Sequence, residues 1–287
     1  MAAHSPTMRR RRLAAELRRL REAVGATQEE VAGRLEWDPS KLSRIENRQV
    51  GIIARDLRKL LDCYGVADEV EREGYFAMAR EGKQRAWWQS YGDVIPGEYG
   101  TLIGLESEAV TISNYEQELV PGLLQTQDYA RAVIRAFRPD DTTEETSRRV
   151  EVRLARQEVL AGDDPPRLWA VISEAVLRRV VGGRAVMGAQ LRSLASERDR
   201  TIVTVQVLPF TAGEHPAMAG SFVILDFPAP DPGAVYVENA SSALYLEQVT
   251  DIQRYTEMFR FLQAAALGPK ESRDMLMTAA HELDSRS

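Results

Sequence analysis

The chain has little of what most protein chemistry requires. Cys63 is the single cysteine among 287 residues, and His4, His215 and His281 are the three histidines. One thiol excludes an internal disulfide and a thiolate metal cluster, and it suits a reducing cytoplasm. No histidine has a second ligand at metal spacing, so neither a transition metal nor another cofactor is expected. No apolar run approaches the roughly 18 residues that span a bilayer, so no membrane role is expected. The opening MAAHSPTMRRRR is basic with no apolar stretch behind it, unlike a secretory signal. Also missing are a glycine-rich phosphate loop with lysine, a nucleophile elbow and an HExxH helix. The chain is therefore expected not to be an enzyme.

What it does have is charge, unevenly placed. Residues 1–60 carry 14 lysines and arginines against 8 acids, whereas residues 61–287 carry 23 against 35. A basic head on an acidic body points to a polyanion met by the head alone. The length favours two domains, and 44% hydrophobic residues suffice for packed cores. The expected division is a DNA-binding domain over 1–82, a packed connector over 83–100 and an α+β domain over 101–287. The connector, KQRAWWQSYGDVIPGEYG, mixes aromatics, glycine and proline.

Five helices are expected in the head. Leu13, Leu17, Leu20 and Val24 recur at spacings of three and four, one buried stripe that Gly25 ends. Thr27 with Glu30 forms a capping box for a second helix with Val31, Ala32 and Leu35 inside. Asp38 followed by Pro39 opens a third, which buries Leu42 and Ile45 and runs out near Asn47. Leu57, Leu60 and Leu61 mark a fourth helix, and Asp68 with Glu71 caps a fifth.

The second and third helices, TQEEVAGRLEWDPSKLSRIEN, have the form of a helix-turn-helix. Small Ala32 lets the pair cross closely, and the turn EWDP sends the next helix off steeply toward a major groove. Subtracting the core from that helix leaves Ser40, Lys41, Ser43 and Arg44 outward. Arg44 is the candidate for bidentate contact to guanine, and Lys41 for guanine or phosphate. Ser40 and Ser43 serve base or backbone. Thr27 and Gln28 are placed toward a phosphate beside the free N–H groups of the second helix. Asn47 and Arg48 are expected to clamp the opposite backbone. The run Arg9–Arg12 either tracks phosphates or is a solvated helix start.

LRRLREAVGATQEEVAGRLEWDPSKLSRIENRQV resembles the xenobiotic-response-element family of repressors, relatives of the phage lambda and 434 repressors. The resemblance implies a five-helix, lambda-repressor-like domain, with Gln28, Ser40, Lys41, Arg44 and Asn47 at positions used on DNA. It also implies a buried Arg21–Glu46 ion pair. Pro39 stands where some relatives carry a base-reading glutamine. Farther on, NYEQELVPGLLQTQDYARAVIRA, PPRLWAVISEAVLRR and ALYLEQVTDIQRYTEMFRFLQAAAL resemble the C-terminal domain of a large set of actinobacterial regulators. That set is described as toxin–antitoxin-like and encoded beside a small partner protein.

The body reads as long helices mixed with strands at 109–116, 168–173, 202–208, 222–227, 234–237 and 243–246, an α+β fold with a mostly antiparallel sheet. FPAPDPG reads as a hairpin turn, and RRVEVRLARQE as a solvated helical face. Trp88, Tyr115, Trp169, His215, Phe222 and Tyr236 are candidates to line an effector or partner pocket. The expectation is a cytoplasmic, dimeric transcriptional regulator of double-stranded operator DNA, with a body that receives a signal from a small partner protein. The alternatives are a body that senses a small-molecule effector, or an enzyme carrying a DNA-targeting head.

Overall fold

The computed structural model describes residues 6–47, 50–81, 87–95, 97–196, 201–228, 233–239 and 242–285. The chain divides into two compact units, Met1–Gln89 and Ser90–Ser287.

The first unit is helical: α1 Pro6–Ala23, α2 Gln28–Arg34, α3 Pro39–Glu46, α4 Ala54–Cys63 and α5 Glu69–Glu81. Local chemistry sets each boundary. Gly25 takes φ +68°, and beside it the Ala26 N–H closes on the Arg21 carbonyl at 3.2 Å, ending α1. At the start of α2 the Thr27 hydroxyl accepts from the Glu30 N–H at 3.1 Å, and the Glu30 carboxylate accepts from the Thr27 N–H at 2.9 Å. The Asp38 carboxylate caps α3 by accepting from the Ser40 N–H at 2.9 Å. Leu13, Leu17, Val31, Leu42, Ile45 and the leucines of α4 form one core.

Val24 departs from the expected stripe, being 47% exposed. The helix stops at Ala23, so Val24 falls in the turn and leaves the helical repeat. Between α2 and α3, Glu36 adopts φ +56°, a left-handed conformation that glycine takes without strain.

The second unit is α+β. Its helices are α6 Gly97–Glu106, α7 Gln127–Phe137, α8 Thr143–Gln157, α9 Glu174–Arg178, α10 Arg184–Ser196, α11 Val249–Ala265 and α12 Pro269–Ser285. Its strands are β1 Thr111–Glu116, β2 Arg167–Ser173, β3 Val203–Leu208, β4 Phe222–Asp226, β5 Ala234–Glu238 and β6 Ala243–Leu246. They form one sheet in the order β3-β2-β1-β4-β5-β6. The mostly antiparallel expectation holds for β1–β4, β4–β5 and β5–β6, while β1–β2 and β2–β3 are parallel. Parallel neighbours need long crossovers, and α7–α8 and α9–α10 supply them. The expected turn between β4 and β5 includes residues 229–232, which lie outside the described residues.

Alternation along the strands sorts the two faces. Tyr115, Val171, Phe222, Ile224 and Val235 pack with Ile252, Phe259 and Leu262 of α11. Asn114 is in register with Val223, and Val223 with Tyr236, on the opposite face. At the β3 edge, the Val207 N–H donates to the buried Ser272 hydroxyl at 2.9 Å and its carbonyl accepts from the Leu267 N–H at 2.9 Å. Leu267, in the connection from α11, and Ser272, in the first turns of α12, thus occupy the Val207 edge groups that could otherwise pair with another strand.

Candidate nucleic-acid interface

α3 is held from one side only. Leu42 is fully buried and Ile45 is 4% exposed, so the helix presents its opposite side outward. Arg44 lies on that outer side, exposed; among the described residues its side chain makes no hydrogen bond or ion pair, and its charge helps hold the Asp38 carboxyl down. Its five donors are free for a planar acceptor pair such as guanine O6 and N7.

The neighbours of Arg44 are more engaged than their residue types imply. Lys41 Nζ lies 2.6 Å from Asp56 Oδ2 of α4 and 4.0 Å from the centroid of the Trp37 ring. The Ser40 hydroxyl donates to the Asp38 carboxylate. Together with the Ser40 N–H, that bond holds the Asp38 carboxyl below its ordinary range. Ser43 Oγ accepts from Asn47 Nδ2 at 3.1 Å. These contacts brace α3 and fix the direction of its polar groups. Arg48 lies outside the described residues. The run Arg9–Arg12 falls inside α1, and Arg12, whose side chain is described, is exposed.

Behind the face sits a buried network. Arg21 Nε donates to Glu46 Oε1 at 2.8 Å and Nη2 to Oε2 at 2.9 Å, a bidentate pair, while Nη1 donates to the Ala26 carbonyl at 2.8 Å. Gln28 Nε2 donates to Glu46 Oε2 at 2.7 Å. Gln28 is thus first a strut between α2 and the end of α3, with one amide hydrogen left for a phosphate. The network ties three helices at the point where the two-helix unit must hold its angle. It also neutralises Glu46, whose charge would otherwise oppose a phosphate backbone. Burial pushes the neighbouring Tyr64 phenol well above its ordinary value, and the Glu46 carboxylate adds to the shift.

The six candidate pocket residues do not all come together, although Phe222 and Tyr236 both line one cavity. Trp88 belongs to the first unit and is 8% exposed. Tyr115, His215 and Phe222 meet on the α11 face, with ring centroids 5.7 and 5.8 Å from Tyr115 and its hydroxyl 3.3 Å from His215 Nε2. They form a packed cluster, and burial lowers the His215 pKa. Trp169 shares that face but donates Nε1 to Gln206 Oε1 at 2.8 Å. Tyr236 faces the other way and lines a cavity of about 580 Å3. Alternation along a strand separates Tyr236 from Tyr115, a difference that aromatic content alone does not disclose.

Sequence reasoning missed the polar wall of this cavity. Arg149, Arg153 and Arg156 of α8 line it, so the segment RRVEVRLARQE is not merely a solvated face. Arg156 is 7% exposed and makes a bidentate pair with the buried Glu106, at 2.5 and 2.6 Å. Spacings of four and three, which place all three guanidiniums along one side of a helix, were the signal available.

Comparison with known families agrees with this division. Residues 12–74 match a helix-turn-helix domain. Residues 99–278, well over half of the chain, match the domain of unknown function DUF5753, and the chain belongs to that family. No curated protein and no solved structure matches it. The helix-turn-helix match supports a DNA-binding regulator. Among the described residues, no helix is long and apolar enough to cross a membrane.

Proposed function

We propose that the chain is a sequence-specific transcriptional regulator, not an enzyme, and that α3 reads base edges in the major groove. The observation that carries this is Arg44: an exposed guanidinium, without an ion pair among the described residues, on the outer side of a helix anchored by Leu42 and Ile45. In this reading Thr27, Gln28 and Asn47 position the phosphate backbone, Ser40 and Ser43 add hydroxyl contacts, and Lys41 exchanges Asp56 for DNA. The likeness of the head to xenobiotic-response-element repressors supports the same placement. Two heads of a cytoplasmic dimer engage half-sites about 34 Å apart, or a multiple of that. Dimerisation doubles the contacts that one small head can make.

The test is competitive binding to a selected operator and to random duplex DNA. R44A is expected to lose about 1–3 kcal/mol of discrimination while retaining its fold. Unchanged discrimination would remove Arg44 from the reading set.

The second unit receives the signal that sets DNA affinity. Its likeness to toxin–antitoxin-like regulators encoded beside a small protein supports a protein signal. The cavity favours a second reading, a small-molecule effector. Native mass spectrometry of the regulator purified from its source separates them by the mass retained, a small protein or a metabolite.

A further inference from the structure

The cavity of the second unit has a size common for small-molecule sites, about 580 Å3. Apolar Leu102, Val120, Val133 and Ile134 contribute to its lining, and all four are buried. Asn114 and Glu116 contribute from β1, Tyr236 from β5, and the three arginines from α8.

One cation of this lining lacks an ion-pair partner among the described residues. Arg149 has Asp141 at 2.6 Å, and Arg156 has Glu106. Arg153 has no carboxylate partner among the described residues. Its Nη1 donates to the neutral Gln125 Oε1 at 2.8 Å, and its Nε is buried without a hydrogen-bond partner. No lining carboxylate lies within ion-pair distance of Arg153 among the described residues. Glu118 is paired with Arg179, and Glu238 is exposed at the strand end. Burial raises Glu116 to about 7. A shielded guanidinium without a counter-charge carries a desolvation cost that a bound anion removes.

A second orphan has the opposite need. Asn114 is 5% exposed, and its Oδ1 is buried with no donor. A buried amide oxygen calls for an N–H or O–H. The cavity therefore lacks an acceptor at Arg153 and a donor at Asn114, with apolar surface between other parts of its wall.

We propose that this cavity binds a small organic anion, a carboxylate or phosphate on an apolar body that also carries an N–H or O–H donor. The anion pairs with Arg153, the donor satisfies Asn114, and the body lies on the apolar wall. This binding lies wholly within the second unit and does not depend on DNA reading by the first.

The experiment titrates the full-length protein with anilinonaphthalene sulfonate, a fluorescent dye with an anionic group, one N–H and an aromatic body. Its uncharged counterpart, phenylnaphthylamine, is the control. Wild type is expected to take up one sulfonate dye saturably per chain. R153M is expected to weaken the sulfonate dye by about tenfold or more, the loss of a charge-assisted contact. The uncharged dye is expected to change by less than about twofold. L119W, which narrows the cavity with every charge retained, is expected to abolish saturable binding of both dyes, and it decides the matter if R153M loses its cooperative melt. Hippurate and phenyl phosphate compete for the site, and displacement by one or the other identifies the head group. Equal loss of both dyes in folded R153M, dye binding unaffected by L119W, or displacement by neither competitor would overturn the proposal.

Discussion

At the scale of single residues, the N-terminal unit separates groups that hold the fold from groups free to act. Arg44 is free. Arg21, Glu46 and Gln28 are committed to one another, and the Glu46 side chain is only 1% exposed. Removing one partner strands a buried charge. E46A is therefore expected to destabilise the head by about 3–5 kcal/mol in urea unfolding. R21A is expected to cost a similar amount, and the double variant less than the two together, because the second removal relieves the charge stranded by the first. Additive losses would show that the pair is not energetically coupled. Arg21 and Glu46 could be paired from resemblance alone. That Gln28 completes the network, and that Asp56 holds Lys41, could not, since both contacts join residues distant along the chain.

At the scale of elements, α3 depends on its inner side. Leu42 is fully buried, and L42A is expected to cost about 2–5 kcal/mol from lost burial and the cavity left behind. Chemical denaturation followed by helical circular dichroism checks this, and a change under 1 kcal/mol would mean that the helix is held elsewhere. Helices and strands were largely legible because their determinants are local: the capping box of α2, the proline that opens α3, and the alternation in β1 and β2. The failures have the same origin. Val24 fits the spacing of its stripe but lies beyond the helix end. The arginines of α8 follow a surface-like pattern, yet the crossover from β1 to β2 turns their side toward the sheet.

At the scale of the molecule, each unit has its own core and its own pH behaviour. Glu116 rises to about 7 from an ordinary value of 4.5, chiefly through burial, so the folded second unit favours its protonated form. The stability this contributes is fully present below about 4.5 and is lost as pH rises through about 7. E116Q removes the titration. It is expected to melt higher than wild type at about pH 8 and no higher at about pH 4. Calorimetric scans at the two pH values measure the difference, and an equal shift at both would assign the effect to packing instead.

From the amino-acid order alone follow the two-part charge division, the helix-turn-helix, the hydrophobic sides of its helices and the class of the second unit. These depend on residues near one another in the chain, where spacing and capping chemistry act directly. Only the tertiary structure decided which polar groups are already engaged, and that Tyr236 and three arginines of α8 meet around one cavity while Tyr115 and His215 pack on the other side of the sheet. Such outcomes depend on strand register and crossover path, which bring together side chains tens of residues apart and leave Arg153 without a carboxylate partner among the described residues.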